Sequence, residues 1–331
     1  MSSSNSSSGG SVVAIFWALG ANGGIAVAKF AAAIYTGSGA MLAEAIHSLA
    51  DCANQVLLLV GLRQADEGVS EVHPLGTGRV VYFYAMMVAL MLFLVGGAFS
   101  VYEGVHRLAH PEPVENPAVA LIVLGVSVVL EAFSLRGAMK EIRKTQGDRS
   151  FWRWFRETRQ SELLVVAGED IAALAGLALA FVAVLAAVVT GNPMFDAMGS
   201  IAVGLLLMIV AVLVLREVKS LIVGESAEPA VRAAIRSHIE ARPEVVSVLS
   251  LITLQWGEAV VVAVQAHMAP QASATALVDA INAVEDSIQM RWPAVRWVFF
   301  EPDHEDADED ETRARLDRHI DRIGASDRTG R

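Results

Sequence analysis

A single cysteine, Cys52, stands in 331 residues, so the chain can form no internal disulfide, and it contains no C-x-x-C pair or Cys/His cluster of structural-zinc spacing. Charge is scarce as well. Asp, Glu, Lys and Arg make up 18% of the residues against about 25% in soluble globular domains, which argues against a packed water-soluble enzyme. The net charge is −11 and no basic, aromatic-interleaved stretch occurs, so nucleic acid is not an expected partner. H-E-x-x-H is also missing, and an intramembrane metallohydrolase would lack its ligands and its base. The chain is therefore not expected to be an enzyme or to hold a cofactor.

What is abundant is apolar: 54% of the residues, gathered in long runs. Val12 to Ile34, Ala40 to Leu62, Val80 to Tyr102, Ala118 to Leu135, Leu163 to Val189 and Ala197 to Leu215 each approach the roughly 20 residues that a helix needs to cross about 30 Å of hydrocarbon. Six membrane spans are predicted, with the lipid bilayer as their surroundings. Residues 1–11 are Ser, Gly and Asn after Met1. They lack the basic segment of a secretory signal, so the first span reads as a retained helix behind a disordered tail.

Lys and Arg in the loops set the orientation. Arg63 and Arg79, then Arg136, Lys140, Arg143, Lys144, Arg149, Arg153, Arg156 and Arg159, and finally Arg216 and Lys219 fall on one side, against Arg107 on the other. Both termini are expected in the cytoplasm.

Beyond Gly224 the pattern becomes that of a soluble domain. Residues 1–224 carry 17 acids against 14 Lys and Arg, while residues 225–331 carry 19 against 11. Glu228 to Arg242 reads as a helix, and Val245 to Gln255 and Ala259 to Met268 as strands joined at Trp256, Gly257 and Glu258. Ser273 to Met290 is an amphipathic helix with Leu277, Ile281, Val284 and Ile288 on one face, and Val295 to Phe300 a last strand. The fold class expected is an all-α membrane domain of six transmembrane helices over residues 12–224, followed by an α+β (αββαβ, ferredoxin-like) cytoplasmic domain over 225–302. Seven of the nine residues from Asp303 to Glu311 are acidic, so 303–331 reads as a solvated, disordered tail; His304 could hold a metal weakly, but a solubilising tail is the favoured reading.

Ionisable side chains in the middle of a bilayer cost at least about 2.5 to 3.5 kcal/mol each, which makes every one a functional candidate. Here they are Lys29 in the first span, Glu44, His47 and Asp51 in the second, Glu131 in the fourth, and Glu169 and Asp170 in the fifth. Lys29 and Glu131 also fit side chains that snorkel or pair. His47 and Asp51, four residues apart, share a helix face one turn from each other. Imidazole nitrogen with carboxylate oxygen suits a borderline divalent ion such as Zn²⁺; taken alone, such a histidine equally fits a hydrogen bond across a packing interface. The Glu169–Asp170 pair in another span favours metal.

On these residues the chain resembles the cation diffusion facilitator family, and within it the zinc transporter 9-like subgroup. The resemblance lies in SGAMLAEAIHSLADCANQVLLLVGLR from Ser38, HPLGTGRVVYFYAMMVAL from His73, YEGVHRLAHPEPVENP from Tyr102, GEDIAALAGL from Gly168, TGNPMFDAMGSIAVGLLL from Thr190 and LIVGESA from Leu221. It implies a homodimeric antiporter that exports a divalent metal from the cytoplasm in exchange for protons by alternating access. The metal is usually Zn²⁺; Mn²⁺, Fe²⁺, Co²⁺ and Ni²⁺ share its ligand types. It further implies His47, Asp51 and Asp170 as metal ligands. Where many zinc members have a ligand histidine, four residues before Asp170, this chain has Val166. Glu169 is the nearest replacement, though it lies about 100° round the helix from Asp170, and a water or partly unwound backbone could serve instead.

The family's cytoplasmic metal histidines correspond to Ser250, Gln265 and Phe299 or Phe300, leaving only His267, Glu301 and Asp303 nearby, so a regulatory binuclear site is not expected. His73 fits an interfacial ligand and a structural turn before Pro74 equally, since the family's frequent second histidine is Thr77. The Ala, Val and Arg richness points to a GC-rich bacterial genome and the plasma (inner) membrane; in a eukaryote an organelle membrane fits as well. A divalent cation channel, or a metal-sensing membrane protein without proton coupling, is the alternative, and a histidine beside carboxylates favours proton exchange.

Overall fold

The computed structural model describes residues 23–65, 68–111, 113–114 and 116–304. The expected N-terminal tail, the beginning of the first span and the acidic tail beyond His304 lie outside these residues. The chain divides into two compact units, one formed by residues up to Glu228 together with Gln255–Glu258, the other by Pro229–Leu254 and the residues from Ala259 onward.

In the first unit the apolar runs fold as helices. Described of the first span is α1, Gly23–Thr36. It is followed by α2 (Gly39–Ala65), α3 (Val80–Met91), α4 (Phe99–Ala109), α5 (Pro117–Gln146), α6 (Phe151–Glu157), α7 (Ser161–Thr190) and α8 (Met194–Val223). A π-helical turn, Leu92–Ala98, joins α3 to α4, so Val80–Ala109 is one continuous apolar stretch. Among the described residues, five helices are long and apolar enough to cross a membrane, and α1 is a shorter apolar sixth. Ile122, Val126, Val129 and Phe133 form an exposed stripe along α5, as a helix surrounded by hydrocarbon would present.

Small residues let these helices approach closely, as is usual where lipid removes the hydrophobic drive between them. A Cβ on Gly204 of α8 would stand 2.6 Å from the carbonyl oxygen of Gly97, and one on Gly104 of α4 would stand 2.7 Å from that of Ala197. Asp196, buried at the start of α8, fixes the beginning of α2. Its carboxylate accepts from the Ser38 hydroxyl at 2.6 Å, the Gly39 amide at 2.7 Å and the Ala40 amide at 3.4 Å. Ser38 Oγ in turn accepts from the Met41 amide at 3.2 Å, so the first turn of α2 has partners for its free donors.

Of the stretch from Arg136 to Arg159, read from the sequence as the basic connection after a span ending at Leu135, the part up to Gln146 continues α5 and Phe151–Glu157 forms α6. Ser150 caps it by accepting from the Arg153 amide at 3.3 Å. Trp154 and Phe155 are buried in a cluster with Ile142 and Leu164. The helix exists because those two aromatics find a tertiary pocket, which local sequence does not display.

The second unit contains α9 (Pro229–Glu240), β1 (Val245–Trp256) as far as Leu254, β2 (Ala259–Met268), α10 (Ala274–Arg291) and β3 (Val295–Pro302). The sheet order is β1-β2-β3, with β2 and β3 parallel and Val262 opposite Val298. Ile235, Ile239, Val262, Val284 and Ile288 are fully buried. Ser273 caps α10 by accepting from the Ala276 amide at 3.1 Å.

Candidate metal centre among the helices

One face of α2 carries Glu44, His47, Ser48, Asp51, Asn54 and Gln55. At 100° per residue these six fall within about a third of the helix circumference. Glu44, His47 and Asn54 have no exposed surface. Of the buried side-chain nitrogen and oxygen atoms that have no hydrogen-bond partner among the described residues, all but Ser247 Oγ lie on this stripe: Glu44 Oε1, both ring nitrogens of His47, Asp51 Oδ1, Asn54 Oδ1 and Gln55 Oε1. Buried polar groups are normally satisfied. A row made almost wholly of acceptors therefore has the chemistry of a cation path.

His47 Nδ1 and Asp51 Oδ1 stand 3.5 Å apart without a hydrogen bond, and the Asp51 side chain keeps 18% of its surface exposed. The π-helical turn faces this pair: a Cβ on Gly96 would stand 3.8 Å from His47 Nδ1. Such turns gather at functional sites because they widen a helix locally.

From α7, Glu169 and Gly176 face α2. Glu169 Oε1 accepts a hydrogen bond from the Asn54 amide, and a Cβ on Gly176 would stand 2.8 Å from Glu44 Oε1. Asp170, the residue after Glu169 on α7, lies within electrostatic reach of Asp51 on α2 and of Glu131 on α5. Val166 packs into the apolar cluster of Leu58, Ala85 and Leu164. Lys29 does not snorkel: its Nζ donates to Ser48 Oγ at 2.7 Å and stands 3.4 Å from Glu44 Oε2.

The predicted residues are thus brought together in part. His47 stands beside Asp51, Glu169 is bonded to Asn54, and Asp170 makes no hydrogen bond or ion pair with any of them among the described residues. Among the described residues no three His, Cys, Asp or Glu side chains converge closely enough to hold one metal ion. Sequence reading missed Asn54 and Ser48. Asn54 had a usable signal, since an amide three residues after Asp51 falls on the same face.

Outside the helices, His73 is exposed and its backbone makes a turn, with the carbonyl accepting from the Gly76 amide at 2.8 Å and the Ser70 amide at 3.1 Å. In the second unit the His267 and His304 rings meet edge to face at 5.6 Å, and Asp303 accepts from the Gln265 side chain at 2.6 Å.

These features belong to a multi-pass membrane protein with a polar seam between its helices, and comparison with known proteins is consistent with that class. The cation efflux transmembrane domain matches residues 15–223. The chain belongs to the cation efflux family, the cation diffusion facilitators, close to the zinc transporter 9-like group. It is 34% identical over 219 residues to the human mitochondrial proton-coupled zinc antiporter SLC30A9, covering 66% of this chain and 39% of that protein. It is 32% identical over 204 residues to metal tolerance protein C4 of Arabidopsis thaliana, covering 60% of this chain and 44% of the relative. To the cation-efflux pump FieF of Shewanella oneidensis it is 33% identical over 103 residues, 31% of this chain and 34% of the pump. The chain thus spans less than half the length of each of these relatives.

Proposed function

We propose that the protein is a divalent metal cation:proton antiporter that exports Zn²⁺ from the cytoplasm by alternating access. It acts as a homodimer in the plasma (inner) membrane with both termini in the cytoplasm, and the second unit is a cytoplasmic domain of ferredoxin-like type. The human relative's name, a proton-coupled zinc antiporter, supports the choice of ion and of coupling. The observation that carries the reading is the His47–Asp51 pair on a buried helix face where both His47 ring nitrogens and Asp51 Oδ1 have no hydrogen-bond partner among the described residues, in a chain of the cation efflux family.

In this reading His47 and Asp51 are the α2 ligands, Asp170 the α7 ligand, and Glu169 the replacement for the missing histidine. Zn²⁺ favours four-coordinate sites with nitrogen and oxygen donors. The donors are apart in this arrangement, and motion of α7 against α2 would bring Glu169 and Asp170 to the pair. Binding requires neutral imidazole and ionised carboxylates, so metal entry releases protons from the groups that receive it. One set of side chains then serves both ions in turn.

Replacing Asp51 or Asp170 by Ala tests the reading in reconstituted vesicles. Zn²⁺ uptake should fall to the background of empty liposomes while insertion and dimerisation persist, because an uncompensated dehydrated cation is not tolerated in this setting. Near wild-type uptake in both variants would overturn the ligand assignment.

A further inference from the structure

Glu44 lies three residues before His47 and belongs to none of the ligand sets considered above, yet its surroundings are those of a cation site. The residue has no exposed surface. Its Oε1 has no hydrogen-bond partner among the described residues and points at the room left by Gly176, where a Cβ would stand 2.8 Å away. Its only positive neighbour among the described residues is Lys29, and that contact is stretched: Nζ is 3.4 Å from Glu44 Oε2 but 2.7 Å from Ser48 Oγ. A buried ion pair offsets its desolvation only with good geometry and its remaining lone pairs satisfied. This one meets neither condition. Three residues on and on the same face, His47 offers ring nitrogens that are also unpartnered.

We propose that Glu44 is a further cation-binding carboxylate, one that shares a cation with His47 on the way to Asp51, and that Lys29 is its built-in counter-ion. With no metal bound, the ammonium compensates Glu44. When a divalent cation sits at His47 it takes over the carboxylate, and Lys29 stays on Ser48. The recognised chemistry is a dehydrated divalent metal ion with mixed nitrogen and oxygen donors. A transport site must bind firmly enough to load and weakly enough to unload, and a fixed positive charge beside the carboxylate supplies the second requirement. Lysine suits this role, since an ammonium on a flexible stem can give up one acceptor and keep another.

The proposal rests on the antiporter reading, so its test separates the two. Zn²⁺ binding is measured by isothermal titration at fixed pH on the full chain in lipid nanodiscs, for wild type, Lys29→Met, Glu44→Gln, the double variant, and His47→Ala/Asp51→Ala. A charge within about 4 to 6 Å shifts ionisation equilibria tenfold or more, and the same scale is expected for a competing cation. Lys29→Met should bind Zn²⁺ about tenfold more tightly and Glu44→Gln about tenfold more weakly. In the double variant the gain from Lys29→Met should vanish, leaving affinity within about twofold of Glu44→Gln.

Should Lys29→Met be unstable without metal, its thermal unfolding provides the same comparison: Zn²⁺ should raise its midpoint more than that of wild type, and no such excess should appear in the double variant. A gain that survives Glu44→Gln, or no gain at all, overturns the assignment of Glu44. Wild-type binding in the His47→Ala/Asp51→Ala protein overturns the underlying reading instead.

Discussion

Asn54 on α2 donates its side-chain amide to the Glu169 carboxylate on α7, so the two helices that carry the candidate ligands are tied to each other one turn beyond Asp51. The bond separates two roles that Glu169 can play. A glutamine at 169 still accepts from Asn54 but cannot neutralise a cation, whereas an alanine at 54 removes the tie and leaves the charge. If Glu169 is a ligand, Glu169→Gln should weaken Zn²⁺ binding by about tenfold or more, since a carboxylate in low dielectric is lost. Isothermal titration of Glu169→Gln and Asn54→Ala checks this; wild-type affinity in the first with a loss in the second would make Glu169 a positioning residue.

The substitution at Val166 gives a second handle on the same question. Positions 166 and 170 share a helical face, so Val166→His restores the H-x-x-x-D pattern of many zinc members. In a Glu169→Gln background it should recover a good part of the lost affinity. Additive effects of the two substitutions in a double-mutant cycle would remove Glu169 from the ligand set.

Asp196 should matter for the fold of the first unit. It accepts from two backbone amides and the Ser38 hydroxyl at the start of α2, and leaving such buried donors unsatisfied costs about 1 to 3 kcal/mol. Asp196→Ala is expected to lower the thermal unfolding midpoint in nanodiscs. Asp196→Asn retains an acceptor oxygen and should recover part of the difference; equal losses in both would show that the carboxylate charge, and not hydrogen bonding, holds α2.

The positions of the helices were legible in the sequence because apolar runs of this length have one common explanation. The His47–Asp51 pair was legible because an i, i+4 spacing is local. Other parts depend on contacts that sequence does not contain. The π-helical turn at Leu92–Ala98 forms where Gly97 packs against Gly204, and α6 forms where Trp154 meets Ile142 and Leu164. The partner of Lys29 is set by how α1 meets α2. Amides and hydroxyls such as Asn54 and Ser48 are common at membrane helix interfaces, so their presence in the stripe carried little signal until neighbours were known.

In the second unit, His238 gives a pH dependence of known sign. Burial, then the guanidinium groups of Arg291 and Arg242, hold its imidazole below the ordinary histidine value, and its Nε2 lies 3.0 Å from Ser287 Oγ. The unfolded chain therefore takes up the proton first as pH falls. The stability contributed by neutral His238 is fully present above about pH 6.5 and is lost as pH drops through that unfolded-state value towards the lower folded one. The protection of the amides in α9 and α10, relative to their intrinsic exchange rates at each pH, should fall between pH 7 and pH 5.5 in wild type and change less in His238→Gln; identical pH responses would exclude His238 as the cause.

Coupled counterflow is the central claim, and simultaneous recording of Zn²⁺ entry and lumenal pH in proteoliposomes tests it most directly. With an acidic lumen, zinc entry through the wild-type protein should be accompanied by alkalinisation of the lumen in a fixed ratio, and both signals should disappear together in Asp51→Ala. At equal pH on both sides an inward zinc gradient alone should drive protons out of the lumen. Zinc entry that proceeds at the same rate with and without the pH gradient, with no change in lumenal pH, would contradict the account and describe a channel.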